Sequence, residues 1–181
     1  TVAERKGLVA SGNVIDGPVG PKTEAEFDFD DAPHLDLLLL PGGAGTIPEL
    51  QNAAMMRFLA ERAEPAEMVM SVCTGSALLA RAGLLDGLRA TSNKQVFDLA
   101  RSQSVHVDWV ESARWVDAGK YVTSSGVSAG TDMALAVIAR LFGGDVAETV
   151  ANATEYSWHR DADTDPFIDQ LNKQVLPSVP P

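Results

Sequence analysis

Two apolar runs, "LDLLLL" (Leu35 to Leu40) and "EMVMSV" (Glu67 to Val72), each stop at small residues, "PGGAGT" and "CTG", and each is followed by helical spacing. This repeated order of strand, tight turn and helix constrains the fold more than any other feature. Runs so short and so uniformly apolar suit strands covered on both faces, the condition of parallel strands in layered α/β proteins. Leu50, Ala54, Met55, Phe58 and Leu59 predict a helix over about 47–63, closed by Pro65. "TGSALLARAG" predicts a short helix with Gly83 as its C-cap, "LRATS" a further strand and "NKQVFDLARS" another helix. "VHVDWVESARWV" and "YVTSS" read as strands joined through a "DAGK" turn, and two more helices, about 128–142 and 145–158, are split by Gly143 and Gly144. Pro166, Pro177, Pro180 and Pro181 predict an extended tail from about residue 161. The alternation implies a three-layer, flavodoxin-like α/β sandwich with a mostly parallel central sheet, in one domain covering residues 1–181.

Sites in such sheets form at the carboxyl ends of the strands, where "PGGAGT" and "CTG" both fall. Cys73 is the only cysteine of the chain. On a sharp strand-to-helix turn its side chain is held out toward the crevice, as in a nucleophile elbow, and the helix dipole and free N–H groups favour the thiolate. Gly75 and Ser76 are small enough to let the helix start close under the strand. The backbone N–H groups of Gly43 and Thr74, aimed at one spot, would form a pair of donors for a developing negative charge. A buried, inert cysteine and a plain glycine turn are the competing readings of the same residues.

Composition narrows the function classes. A formal charge of -11 over 181 residues repels the phosphates of nucleic acid and an anionic membrane surface alike. No apolar run approaches the roughly 18–20 residues of a membrane span, and Thr1 to Lys6 lacks the apolar core of a signal peptide, so a cytoplasmic protein is expected. His34, His106 and His159 are far apart, with no HxxxH or CxxC spacing, and no metal is expected. Trp109, Trp115 and Trp158 are read as core or interface residues, and His159 as a solvated or packing histidine.

"LDLLLLPGGAGT", "SVCTGSALLARAGLLDGLRATSNK", "ARWVDAGKYVTSSGVSAGTDMALAVIARLFG", "EY" and "DPF" occur here in an order that resembles the ThiJ/PfpI superfamily of glutamine-amidotransferase-like proteins, and within it the isonitrile-hydratase-like branch with its Cys-Thr-Gly elbow. The resemblance runs from about Val2 to Phe167. It implies Cys73 as nucleophile, Gly43 and Thr74 as oxyanion donors, and a pocket lined by Gly42, Gly75, Ser125, Gly126 and Val127. It also implies a homodimer acting on a small molecule without a cofactor. Asp132 is read as a polar residue at a helix start.

The departures from the pattern shape the expectation. The superfamily places an acid from its first strand and helix beside the thiol; this chain opens on "TVAERKG", which reads as the tail of a strand, so a first β-α unit is expected to be absent and no partner acid can be named. Ser157 follows Glu155 and Tyr156 where the branch tends to have an acid. Thr74 stands where PfpI-type proteases have histidine, and "TSSGVS" lacks the histidine of amidotransferases, which disfavours proteolysis and glutamine hydrolysis. Three functions are compatible: hydration of an isonitrile through Cys73, a glyoxalase- or deglycase-like cysteine chemistry, and a non-enzymatic oxidation-sensing dimer.

Overall fold

The computed structural model describes residues 1–10 and 22–174. Strand β1 (Gly7–Ala10) pairs antiparallel with β2 (Lys22–Ala25), a hairpin that the sequence pattern did not announce. The central sheet is built from β3 (Leu37–Leu40), β4 (Met68–Val72), β7 (Trp115–Ala118) and β8 (Tyr121–Ser124), in the order β3-β4-β8-β7. The β3/β4 and β4/β8 pairs are parallel and β7/β8 is the antiparallel hairpin expected around "DAGK". Two short strands, β5 (Arg89–Ala90) and β6 (Asp108–Trp109), pair in parallel beside it.

Strand β4 shows why its sequence is apolar throughout. Val69 points into a core made by Leu38 and Leu40 of β3 with helices α2 (Ala53–Ala63) and α3 (Gly75–Arg81), whereas Met68 and Met70 point into a second core with Trp115, Val122 and Met133. Helices therefore cover both faces, and the mixed, mostly parallel sheet is the α/β sandwich that the alternation implied. Strand β3 departs from expectation: Leu38 and Leu40 are buried, but Leu37 and Leu39 are 41% and 55% exposed. The reason is position. β3 is an edge of this sheet, and helix α5 (Val127–Phe142) packs over β4, β7 and β8 instead.

The helix expected over 47–63 is two helices, α1 (Thr46–Glu49) and α2, because the Asn52 side chain accepts from the N–H groups of Ala54 and Met55 and starts a new helix there. Helix α4 (Phe97–Arg101) is shorter than the run that suggested it, and α6 (Gly144–Ala153) stops before Trp158. The tail expected to be extended folds back through a 3₁₀ turn (Ile168–Gln170); Asp165 N–H donates to the Ser112 carbonyl and Asn172 N–H to that of Lys94. Pro177, Pro180 and Pro181 lie outside the described residues. Trp115 is core, and Trp109 sits edge-on to Phe97.

Candidate active site

Cys73 follows β4 directly and has φ of +59°, the left-handed region that a residue with a side chain avoids. Four hydrogen bonds hold it there. Its N–H is shared between the carbonyls of Ser125 (2.7 Å) and Ser124 (3.1 Å), and its own carbonyl accepts from the hydroxyls of Ser76 and Ser92, both at 3.2 Å. Strain of this kind persists only where the surroundings over-determine it, and it gathers at functional positions. The thiol is half-buried, and among the described residues no side chain hydrogen-bonds its sulfur.

The glycine loop passes over this corner at the closest range a backbone can reach. A methyl group at Gly42 would fall 2.7 Å from Cys73 Cβ, 2.7 Å from the Thr74 nitrogen and 2.8 Å from the Val72 carbonyl oxygen. One at Gly75 would fall 2.6 Å from the Leu40 carbonyl oxygen, which is why α3 can begin directly beneath β3. Gly43, with φ of +121°, donates its N–H to the Thr74 hydroxyl at 2.9 Å. Thr46 Oγ1 donates to the Gly43 carbonyl at 2.7 Å and lies 3.0 Å from Thr74 Oγ1. The two threonines thus clamp the loop to the elbow, and a negative oxygen seeking the Gly43 N–H would compete with the Thr74 hydroxyl.

Next to the elbow lies a cavity of about 190 Å³, walled by Asn93, Lys94 and Gln95, by Arg114, by Ser125, Gly126 and Ser128, and by Asp165, Phe167 and Gln170 of the tail. Of the residues singled out from the sequence, Ser125 and Gly126 line it. Cys73, Thr74, Gly42, Gly43 and Gly75 stand together at the elbow outside that lining. Val127 belongs to neither group, being 80% exposed at the start of α5.

Behind the cavity sits a charged cluster that sequence reading missed. Arg114 Nε donates to Asp132 Oδ2 at 2.7 Å and its Nη2 lies 2.5 Å from the same oxygen; Arg114 Nη1 is 3.7 Å from Asp165 Oδ1. Lys94 Nζ is 3.6 Å from Asp165 Oδ2 and donates to Thr91 Oγ1 and the Ala113 carbonyl. Burial pushes the Lys94 ammonium down to about 8, against the opposing pull of Asp165. Asp132, expected to be a polar helix-start residue, is fully buried, because it neutralises Arg114 and accepts the backbone N–H of His159. The His159 side chain is exposed. The four residues come from four separate segments, so no local spacing announces them; an arginine immediately before β7 and a lysine a few residues after β5 were the available hint. Among the described residues no cluster of three His, Cys, Asp or Glu could hold a metal ion, and no helix is long and apolar enough to cross a membrane.

The chain belongs to the DJ-1/PfpI family, whose sequence profile matches residues 2–140. It is 35% identical over 173 residues to the isonitrile hydratase of Pseudomonas putida, a match covering 91% of this chain and 74% of the hydratase. It is 33% identical over 129 residues to the HTH-type transcriptional regulator GbdR of Pseudomonas aeruginosa, covering 70% of this chain but 34% of the regulator. Among solved structures it superposes on a ThiJ/PfpI family protein from Pseudomonas syringae with a TM-score of 0.73 at 32% identity, covering 91% of this chain and 63% of that one. The family and fold implied by the sequence motifs are thereby borne out.

Proposed function

We propose that this chain is a cytoplasmic, homodimeric cysteine enzyme that hydrates a small isonitrile to an N-formamide through Cys73. The observation that carries the proposal is the left-handed backbone of Cys73 at the carboxyl end of β4, held by four hydrogen bonds. A merely structural cysteine has no need of so costly a conformation. The similarity to the hydratase over most of both chains supports this reaction class.

In this reading the Cys73 sulfur adds to the terminal carbon of R–N≡C, and that carbon takes up a proton to give a thioimidate. Water adds across the C=N bond, and the tetrahedral adduct expels the thiolate to leave the formamide H–C(=O)–NH–R. Atoms balance with water alone, so no cofactor is required. The Thr74 N–H, and the Gly43 N–H once released from the Thr74 hydroxyl, supply donors to the adduct oxygen. Ser125 and Gly126 border the path of the substrate, whereas Val127 stands outside it.

The test is formamide formation from a simple isonitrile by the purified chain beside Cys73→Ser. Turnover that is abolished in the variant is the expected result, since an alcohol is a far poorer nucleophile at neutral pH. Equal rates in the two would remove the cysteine mechanism. Turnover of methylglyoxal but of no isonitrile would instead support a deglycase-like chemistry.

The similarity to a transcriptional regulator favours one further reading, in which the domain senses a ligand or an oxidant at Cys73 without turnover. Stoichiometric oxidation of Cys73 by dilute peroxide, together with silence toward every small carbonyl or isonitrile offered, is the pattern that reading expects.

A further inference from the structure

A trans peptide unit is planar, so its C=O and N–H point in opposite directions and whatever holds one aims the other. The Cys73 carbonyl and the Thr74 N–H belong to one such unit. Among the described residues the Thr74 N–H meets no acceptor, although Thr74 is only 6% exposed. An unpaired N–H in so enclosed a place is rare, and a donor kept free beside a thiol is available to a developing negative charge. The Gly43 N–H, by contrast, is taken up by the Thr74 hydroxyl.

What aims the Thr74 N–H is the grip on the Cys73 carbonyl. Two hydroxyls donate to that oxygen, each at 3.2 Å, and they differ in origin. Ser76 lies three residues on, in the first turn of α3, and moves with the elbow that it holds. Ser92 lies 19 residues on, just past β5, and is fully buried. Its segment is fastened to the sheet: the Thr91 N–H donates to Thr123 Oγ1 of β8 at 2.8 Å, and Lys94 Nζ donates to the Ser92 carbonyl at 3.4 Å and to the Ala113 carbonyl at 2.7 Å. Ser92 therefore ties the peptide between Cys73 and Thr74 to the frame of the molecule. The left-handed φ of Cys73 gives that peptide a reason to turn if the tie is cut, since the conformation is costly for a residue with a side chain.

We propose that Ser92 is a positioning residue of the cysteine reaction: its hydroxyl, gripping the Cys73 carbonyl, keeps the Thr74 N–H turned to the place where the adduct oxygen forms. This role rests on the reading of Cys73 as the nucleophile and adds to it the group that aims its oxyanion donor. A serine present only to fill the core would matter to stability and to nothing else.

Ser92→Ala removes the hydroxyl and tests the role in three ways. In NMR the residual dipolar coupling of the Thr74 N–H should change, reporting a turned bond, while the couplings of α3 beyond its first turn keep their values. With an isonitrile as substrate, kcat should fall about tenfold, a part of the roughly 10²- to 10³-fold loss that follows removal of one oxyanion donor, at unchanged KM, because the donor acts on the adduct and not on the bound substrate. Alkylation of Cys73 by iodoacetamide, a displacement that forms no oxyanion, should keep its rate. Ser76→Ala, which leaves Ser92 in place, should keep the Thr74 coupling. An unchanged Thr74 coupling or an unchanged kcat in Ser92→Ala, or a fall in its alkylation rate equal to that in kcat, overturns the proposal. If the unaltered chain turns over no isonitrile, the hydratase reading fails and the Thr74 coupling by itself decides the role of Ser92. Should Ser92→Ala not fold, Ser76→Ala still decides: a Thr74 N–H that turns with Ser92 intact overturns the proposal, and one that stays supports it.

Discussion

The Cys73 elbow and the Lys94/Arg114/Asp132/Asp165 cluster are neighbours built on opposite principles. The elbow is a backbone object, in which a strained residue, two close-packed glycines and a few hydroxyls are held together by the ends of neighbouring strands. The cluster is a side-chain object, in which charges from four distant segments meet out of reach of bulk solvent. The difference teaches where each is vulnerable: the elbow fails through steric change, the cluster through loss of a charge partner.

That contrast can be broken most forcefully in the cluster. Asp132→Ala leaves Arg114 buried without its carboxylate, and a cost of about 3–5 kcal/mol is expected in urea unfolding. A loss below 1 kcal/mol would show that Arg114 finds water or Asp165 instead. In the elbow, Gly42→Ala forces a methyl group against backbone and Cβ atoms and should cost about 1–3 kcal/mol, with turnover falling further as the loop is pushed off Thr74. Cys73→Gly has the opposite sign. It relieves the positive φ and should leave the fold as stable or about 1 kcal/mol more stable, while turnover disappears. Destabilisation by that change would mean the corner is not strained.

A further effect concerns pH. Lys94 titrates near 8 in the folded chain against 10.5 when unfolded, so the unfolded state binds more protons between those values. The contribution of this residue to stability therefore grows as pH rises from about 8 toward 10.5, and that gain is lost as pH falls back through 8. Asp165, Arg114 and Glu111 are the charged groups that set the balance. The difference in unfolding free energy between the unaltered chain and Lys94→Met should follow this trend from pH 7 to pH 10; a flat difference contradicts it.

The same contrast explains what the sequence made legible. β4 could be read because burial on both faces leaves a continuous apolar run, and the elbow because Cys73, Thr74 and Gly75 are consecutive and Gly42 and Gly43 form a second short motif at the end of the neighbouring strand. β3 misled in part, since Leu37 and Leu39 have the chemistry of buried residues but sit on an edge. Asn52 broke a helix that apolar spacing alone would have continued, because a side-chain cap competes with propagation at a single residue. Asp132 looked like an ordinary helix-start residue; only Arg114, 18 positions earlier, gives it a reason to be buried. The "DPF" segment was recognisable as part of the family pattern, but nothing in its neighbours said that Asp165 reaches Lys94.

The returning tail gives the site two clocks. Its carbonyl at Ala162 takes the N–H groups of Arg114 and Trp115, and it is tied further at Ser112 and Lys94, a handful of anchors along an irregular segment. The elbow, by contrast, hangs from the central strands and can open only when they part. Segments with few anchors open at a free energy well below that of global unfolding. One wall of the cavity can therefore peel away and return many times while the elbow beside it, which carries the thiol, keeps its place.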